Sequence, residues 1–252
     1  MVSVQVADAP PLAPRAWLRW DVVDRLVAEV GPGTVLEIGC GQGAFGARIA
    51  TRAGYVGVEP DDAAHEVARR RIEPVGGQVL HGTDAVVPAG SAFDLVCFFE
   101  VLEHIRDDEA ALRRWTGFAR PGGHVLLSVP AFAGRFAPMD VQAGHYRRYD
   151  PDDVRRLLAA AGLQDVRVVV YGWPLGYALE VVRNRVSRRA LAAMSQVPTP
   201  EEFTAASGRT MQPTRPLVAA SVATGTLPFR WLQRLTRTRG TGIVAIGRRP
   251  AD

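Results

Sequence analysis

Cysteine is scarce in this chain: Cys40 and Cys97 are the only two among 252 residues. Both fall in apolar or glycine-rich segments at strand ends, which excludes a disulfide-built scaffold and reads as two free thiols in a reducing compartment. No pair of Cys or His residues has metal-ligand spacing, so no metal centre is expected. No uninterrupted apolar run of about 18 residues occurs, which argues against a membrane-spanning helix. Met1 to Pro14 has neither a basic start nor an apolar middle, so it does not read as a secretory signal, and a cytoplasmic location is expected. Internal repeats and low-complexity tracts are absent. Only the first ten or so residues, with their Pro-Pro pair, are expected to lack order.

What remains is an ordinary globular composition, 47% hydrophobic and 22% charged, sufficient to bury a sizeable core. All 30 basic residues are arginine and the net charge is +4. Between Gly172 and Gly240 ten Arg stand against three acids, whereas the rest of the chain has twenty Arg and twenty-three acids. A basic segment of that kind can face an anionic substrate, a membrane surface or nucleic acid, or can serve as a solvated cover.

The apolar periodicity predicts a helix over Ala16–Val30, stopped by Gly31-Pro32-Gly33, and a buried strand over Thr34–Ile38. A glycine cluster and a helix through Ala53 follow. Further strands are predicted at Tyr55–Val58, Gln78–His81, Phe93–Phe99, Gly123–Val129, Asp165–Tyr171 and Gly242–Gly247. Helices are predicted at Asp61–Glu73, Asp107–Ala119 and Asp150–Ala161, the last with Pro151 in its favoured first turn. Strand and helix alternation implies an α/β architecture, a doubly wound and mainly parallel sheet with helices on both faces. The domain organisation read from this is a tail and helix over 1–30 and one ligand-binding domain over 31–252. That domain carries a helical insertion at about 172–240. Within the insertion, Leu175, Leu179, Val182 and Val186 mark an apolar helix face, and a second apolar stretch runs from Leu217 to Leu232.

Ligands of such sheets bind at the carboxyl ends of the strands, beside the topological switch point. There the first strand ends in Glu37-Ile-Gly39-Cys-Gly41-Gln-Gly43-Ala-Phe-Gly46, and Glu59 ends the second. Glycines permit a tight turn and close approach to a ligand, and one carboxylate can accept from both hydroxyls of a ribose. Gly41, Gly43 and Gly46 also fit the dinucleotide pattern, a weak signal alone. Glu37 tilts the choice, because a carboxylate there repels a pyrophosphate but attracts the ammonium of an amino acid, directly or through water. A cofactor with a cationic amino acid at one end and a nucleoside at the other fits, as S-adenosylmethionine does.

Glu37-x-Gly39-x-Gly41-x-Gly43 resembles motif I of the class I S-adenosylmethionine-dependent methyltransferases. Phe93-Asp-Leu-Val-Cys-Phe-Phe-Glu-Val-Leu-Glu-His104 resembles the fourth-strand motif of their ubiquinone-biosynthesis-type branch. Arg120-Pro-Gly-Gly-His-Val-Leu-Leu-Ser-Val-Pro130 and Gly144-His-Tyr-Arg-Arg-Tyr149 resemble the elements that follow, so the likeness spans about residues 33–171 and the final strand. The resemblance implies a seven-stranded sheet of order 3-2-1-4-5-7-6 with strand 7 antiparallel, and it implies roles. Gly39, Gly41 and Gly43 would pass beneath the methionine and ribose, Glu37 would hold the amino group, and Glu59 the ribose hydroxyls. Asp84, with Ala85 beside it, would accept from the adenine amino group. Glu100 and Val101 would border the sulfonium and its methyl.

His104 and His145 are the candidate general bases, each expected to titrate near neutrality. Tyr146 and Arg147 are expected to face the acceptor, with pairing of Arg147 and Arg148 to Asp150, Asp152 or Asp153 as the structural alternative. The expected acceptor is a small molecule: natural-product, quinone-like or lipid-linked, taking the methyl on oxygen or nitrogen. The basic insertion could instead meet a membrane surface or form a homodimer contact. Nucleic acid is disfavoured, since Trp173, Phe229 and Trp231 with nearby Arg make only a thin stacking patch. An RNA or protein methyltransferase, a cofactor-binding scaffold without turnover and an NAD-dependent oxidoreductase stay open as alternatives.

Overall fold

A computed structural model describes residues 10–194, 198–199, 216–236 and 238–251. The expectation for the first nine residues, and part of the insertion, lie outside the described residues. The first helix, α1 (Pro14–Val30), has proline in its first turn, where the missing N–H costs nothing, and closes on Gly31 at φ 56°. Next come β1 (Thr34–Ile38), a short α2 (Gly46–Ile49), β2 (Gly54–Glu59) and α3 (Asp62–Ile72). Asp61 caps α3 by accepting from Ala64 N, and Arg69–Arg71 occupy its last turn, where the helix dipole favours cations. Then follow β3 (Gln78–His81), β4 (Phe93–Phe99), α4 (Asp108–Thr116), β5 (Ala119–Pro130), α5 (Pro138–Ala143), α6 (Pro151–Ala160) and β6 (Gln164–Gly172). The chain closes with α7 (Leu175–Ala192), α8 (Pro216–Leu232) and β7 (Gly240–Arg248).

The seven strands form one sheet in the order β3-β2-β1-β4-β5-β7-β6. Strands β1 to β5 pair in parallel, and β7 runs antiparallel to both its neighbours, as the family resemblance implies. Alternate strand residues serve opposite faces. Val35, Leu95, Cys97, Leu126 and Val244 pack with Leu18, Trp20 and Val23 of α1 on one side. Leu36, Val96, Phe98, Leu127 and Ile243 pack with Leu112, Trp115 and Leu158 on the other. The chain leaves β1 toward β2 on one side and returns through β4 on the other, so the switch point lies between β1 and β4. Both cysteines are free and buried.

Two departures from the sequence reading matter for function. Beyond Ile49 the helix expected through Ala53 loosens into turns, though Ala53 N still donates to Ile49 O at 3.2 Å. In α7, Val182 and Val186 are more than half exposed, while Gly176, Glu180 and Ser187 are buried. The inward face of that helix is polar because it lies against a buried Arg148, which pairs with Glu180. Among the described residues no helix is long and apolar enough to cross a membrane.

Candidate functional site

The loop leaving β1 is stitched to the end of β2: Gly39 N and Cys40 N both donate to Val58 O, at 2.8 and 3.0 Å. Gly39, Gly41 and Gly43 adopt φ of 70°, 55° and 74°, the left-handed region that side chains resist. They differ in what lies beyond. A Cβ on Gly39 would stand 2.6 Å from Val101 Cγ2, so this glycine packs directly on the chain leaving β4. A Cβ on Gly41 would meet nothing within 4 Å, so the loop is open to a ligand there. Glu59 braces this open face, its Oε2 accepting from Gly41 N at 2.7 Å and its Oε1 from Asp61 N at 3.0 Å. Burial raises the Glu59 pKa, against the pull of those two amides. Each carboxylate oxygen retains room for another donor.

Glu37 is buried, and its Oε2 accepts from the Tyr55 hydroxyl at 2.7 Å. Burial pushes it up to about 8, offset in part by the Tyr55 hydrogen bond and the Arg19 charge. It therefore rests mainly neutral at pH 7. Asp84 lies after β3, its carboxylate 3.2 Å from Arg114 Nε of α4, and the cap of that turn is Thr83, whose Oγ1 accepts from Ala85 N.

At the end of β4, Glu100 holds φ 57°, a conformation that costs a non-glycine residue about 1–3 kcal/mol and marks functional turns. Arg19 of α1 reaches its Oε1 at 3.0 Å, and Ser128 Oγ of β5 donates to the same oxygen at 3.1 Å. Burial drives Glu100 up, but Arg19 and Arg15 outweigh it and keep its pKa below the ordinary value. Glu103, three residues on, is fully buried, and neither carboxyl oxygen has a hydrogen-bond partner among the described residues. Burial, then the neighbouring Glu100 charge, holds it well above the carboxylate range.

The His104 and His145 rings meet edge to face at 4.8 Å. The two residues are 41 apart in sequence, and the loop carrying His145 is drawn in by Tyr146 N donating to Glu103 O at 2.8 Å. His104 does not meet the expectation of titration near neutrality: burial, then repulsion from His145, lowers it to about 4. His145 Nδ1 lies 2.9 Å from Asp140 Oδ1, and its Nε2 lies 3.9 Å from Glu103 Oε1. Asp140 stays below its ordinary pKa because hydrogen bonds from His145 and Arg148 overcome its burial. A proton on His145 Nδ1, donated to Asp140, would leave Nε2 open to accept another, the arrangement a general base requires.

Arg148 does not pair with the acids of α6. It donates from Nε to both Asp140 oxygens at 2.8 and 2.9 Å and from Nη1 to Glu180 Oε1 at 2.5 Å, with Arg135 also on Glu180. Arg147 likewise turns away from α6, to Asp108 at 2.8 Å and the Arg106 carbonyl at 2.7 Å. The Arg106 guanidinium lies 5.5 Å over the Tyr146 ring.

The fold thus gathers Gly39, Gly41, Gly43, Glu59, Glu100, Val101, His104, His145 and Tyr146 along one strand edge, with Asp84 at its β3 end. Asp140 and Arg19 join them without having been singled out in the sequence, and Glu103, which the sequence left open between an exposed charge at a helix start and a site residue, is buried among them. Asp140 carried a weak signal, a carboxylate five residues before His145 and within reach once the short α5 turns the chain. Ligand spacing in the sequence does not anticipate one cluster of potential ligand atoms. Glu103, His104 and His145 each present a ligand atom, all within 4.8 Å of one another, a set that no short-range spacing could reveal.

A family model described as a methyltransferase domain matches residues 13–168. A ubiquinone biosynthesis O-methyltransferase of Dinoroseobacter shibae is 32% identical over 149 residues, covering 52% of this chain and 60% of that protein. The chain spans 45–60% of the length of the curated relatives it matches. Among solved structures, the N-methyltransferase NodS of Bradyrhizobium japonicum WM9, in complex with S-adenosyl-L-homocysteine, superposes with a TM-score of 0.56 at 16% identity, covering 92% of this chain and 86% of that one. The [4+2]-cyclase SpnF superposes with a TM-score of 0.57 at 16% identity, covering 92% and 81%. At such identities the superpositions speak for the fold alone.

Proposed function

This chain belongs to the methyltransferase domain family, and from that premise we propose that it transfers a methyl group from S-adenosylmethionine to an oxygen or nitrogen of a small-molecule acceptor. The observation that carries the reading is the open face at Gly41, set against a Glu59 carboxylate that two backbone amides hold in place. A nucleoside fits that cradle: the glycines admit close approach, and Glu59 has lone pairs left for two ribose hydroxyls. In this reading Gly39, Gly41 and Gly43 underlie the cofactor. Asp84 and Ala85 border the adenine, Glu37 meets the amino group as a mainly neutral hydrogen-bond acceptor rather than as the full charge the sequence suggested, and Glu100 and Val101 border the sulfonium.

The bound cofactor would supply an already activated methyl group, and the protein's task is to hold the nucleophile about 3 Å from it in line with the departing sulfur. His145, oriented by Asp140, accepts the acceptor's proton at Nε2, and Tyr146 and Arg147 frame the acceptor side. His104, depressed to about 4, stays neutral through the working pH range and serves to wall the site. The exposed Val181, Val182 and Val186 beside Arg185, Arg188 and Arg189 favour an amphiphilic or lipid-linked acceptor over nucleic acid.

Calorimetry with S-adenosylmethionine and its demethylated product tests the premise. Saturable binding, weakened at least tenfold in Glu59→Ala, is expected; absence of heat with both ligands overturns it. A screen of catechols, phenols and amines for cofactor consumption then reads the acceptor, and transfer only to RNA or protein would refute the small-molecule part.

A second reading of the same edge rests on the orphaned carboxyl of Glu103, which faces His145 and lies beside His104. These three side chains would hold a divalent cation, which when bound would lower the pKa of an acceptor hydroxyl. Turnover abolished by a chelator and restored by added Mg²⁺ or Zn²⁺ supports that reading; undiminished turnover in the chelator excludes it.

A further inference from the structure

Most arginines on the inner wall of this edge meet a carboxylate. Arg19 lies on Glu100, Arg148 on Asp140 and Glu180, Arg135 on Glu180, and Arg147 on Asp108. Arg15 and Arg183 do not: neither has a hydrogen bond or ion pair to another described residue, although both are partly buried. Their positions place them over the site. Arg15 precedes Arg19 by one turn of α1, so the two share a face. Arg183 lies on α7 between two inward anchors, Glu180 bound to Arg148 and Asn184, whose Oδ1 accepts from Met139 N at 3.1 Å. Arg183 thus stands next to the Asn184–Met139 contact and one turn from Glu180, Arg15 stands one turn before the Arg19 that binds Glu100, and the charges of Arg15, Glu100, Asp140 and Arg148 are felt at Arg183. Desolvation, then Arg15, lowers Arg183 to about 10, so it keeps its charge at neutral pH.

The local balance is cationic. Five guanidiniums, of Arg15, Arg19, Arg135, Arg148 and Arg183, stand against four carboxyls, of Glu100, Glu103, Asp140 and Glu180. Glu100 and Asp140, the acids nearest these two guanidiniums, are already bound by Arg19 and Arg148, which leaves the N–H donors of Arg15 and Arg183 open to a ligand. A guanidinium fork matches a planar carboxylate or a phosphate through paired N–H donors.

We propose that Arg15 and Arg183 form an anion subsite in the acceptor chamber, and that the acceptor carries a carboxylate or phosphate group held there while its nucleophile meets the methyl. The inference rests on the methyl-transfer reading for the acceptor's identity but not for the anion's binding.

The test is calorimetric titration at low ionic strength of the full chain, with and without S-adenosylhomocysteine. The probes are inorganic phosphate, benzoate and 3,4-dihydroxybenzoate, with catechol as the uncharged arm. Saturable binding of an anionic probe is expected, with 3,4-dihydroxybenzoate at least tenfold tighter than catechol. Arg183→Gln should weaken it at least tenfold, Arg15→Gln several-fold and Arg183→Lys part of the way. The exposed Arg156→Gln on α6 should leave it unchanged, and all variants should retain S-adenosylhomocysteine affinity as proof of folding. The preferred anion, phosphate or carboxylate, identifies the acceptor's charged group. Equal affinity for catechol and 3,4-dihydroxybenzoate, equal binding by wild type and Arg183→Gln, or no saturable binding of any anion into the millimolar range overturns the subsite. Anion binding without S-adenosylhomocysteine binding would leave the subsite standing and sink the cofactor reading.

Discussion

Glu37 offers a quantitative check on the electrostatics of the strand edge. In the unfolded chain it titrates near its ordinary 4.5, whereas in the fold burial raises it to about 8. Between those values the native state holds a proton that the unfolded state has released, so stability falls as pH climbs through the window and levels off above about 8. The displacement corresponds to a loss of roughly 5 kcal/mol between pH 4 and pH 9, a large share of the about 5–15 kcal/mol that holds a domain together. Glu37→Gln removes the titration but keeps an oxygen to accept from Tyr55. The variant should therefore match the wild type near pH 5 and exceed it by several kcal/mol at pH 9. Urea unfolding at one-unit intervals from pH 5 to 9, comparing midpoints at constant slope, measures this difference. Other titrating groups cancel in it. A wild-type to variant gap that does not change with pH would refute the reasoning.

The two glycines of the loop should separate folding from binding. Gly39→Ala combines a left-handed φ with a 2.6 Å approach to Val101, and should cost about 2–4 kcal/mol in chemical denaturation. Gly41→Ala meets no neighbour, so its stability cost should stay near 1 kcal/mol while cofactor affinity, read by calorimetry, falls at least tenfold. Asp140→Asn removes the charge that orients His145, and should lower kcat by about 10²-fold or more. It should also shift the pH–rate profile and leave cofactor binding intact, as initial-rate measurements of S-adenosylhomocysteine release would show. An unchanged kcat would remove His145 from the role of base.

Strands β1, β3 and β4 were legible to the residue, because short apolar runs bounded by glycine, proline or acids permit few alternatives. The glycine loop and Glu59 were legible for the same local reason. The rest of the site depends on contacts distant in sequence. Arg19 finds Ser128 across 109 residues, Arg148 finds Glu180 across 32, and His104 meets His145 across a loop whose short helix α5 has too few residues to show a period. The face of α7 was misjudged because apolar spacing measures hydrophobicity alone. What turned the helix was the need of a buried Arg148 for a second carboxylate. The depressed pKa of His104 was likewise invisible, since it follows from burial and from a second imidazole brought in from afar.

The ion pair between Arg148 and Glu180 ties α7 to the loop that carries His145. Drawing α7 outward alone would strand a guanidinium and a carboxylate away from water, at a penalty of several kcal/mol. Any breathing of this wall must therefore carry the Asp140–Arg148 loop with it, and His145 rides on that loop. In the proposed methyl-transfer reading, admission of an acceptor and alignment of the base then become a single motion rather than two.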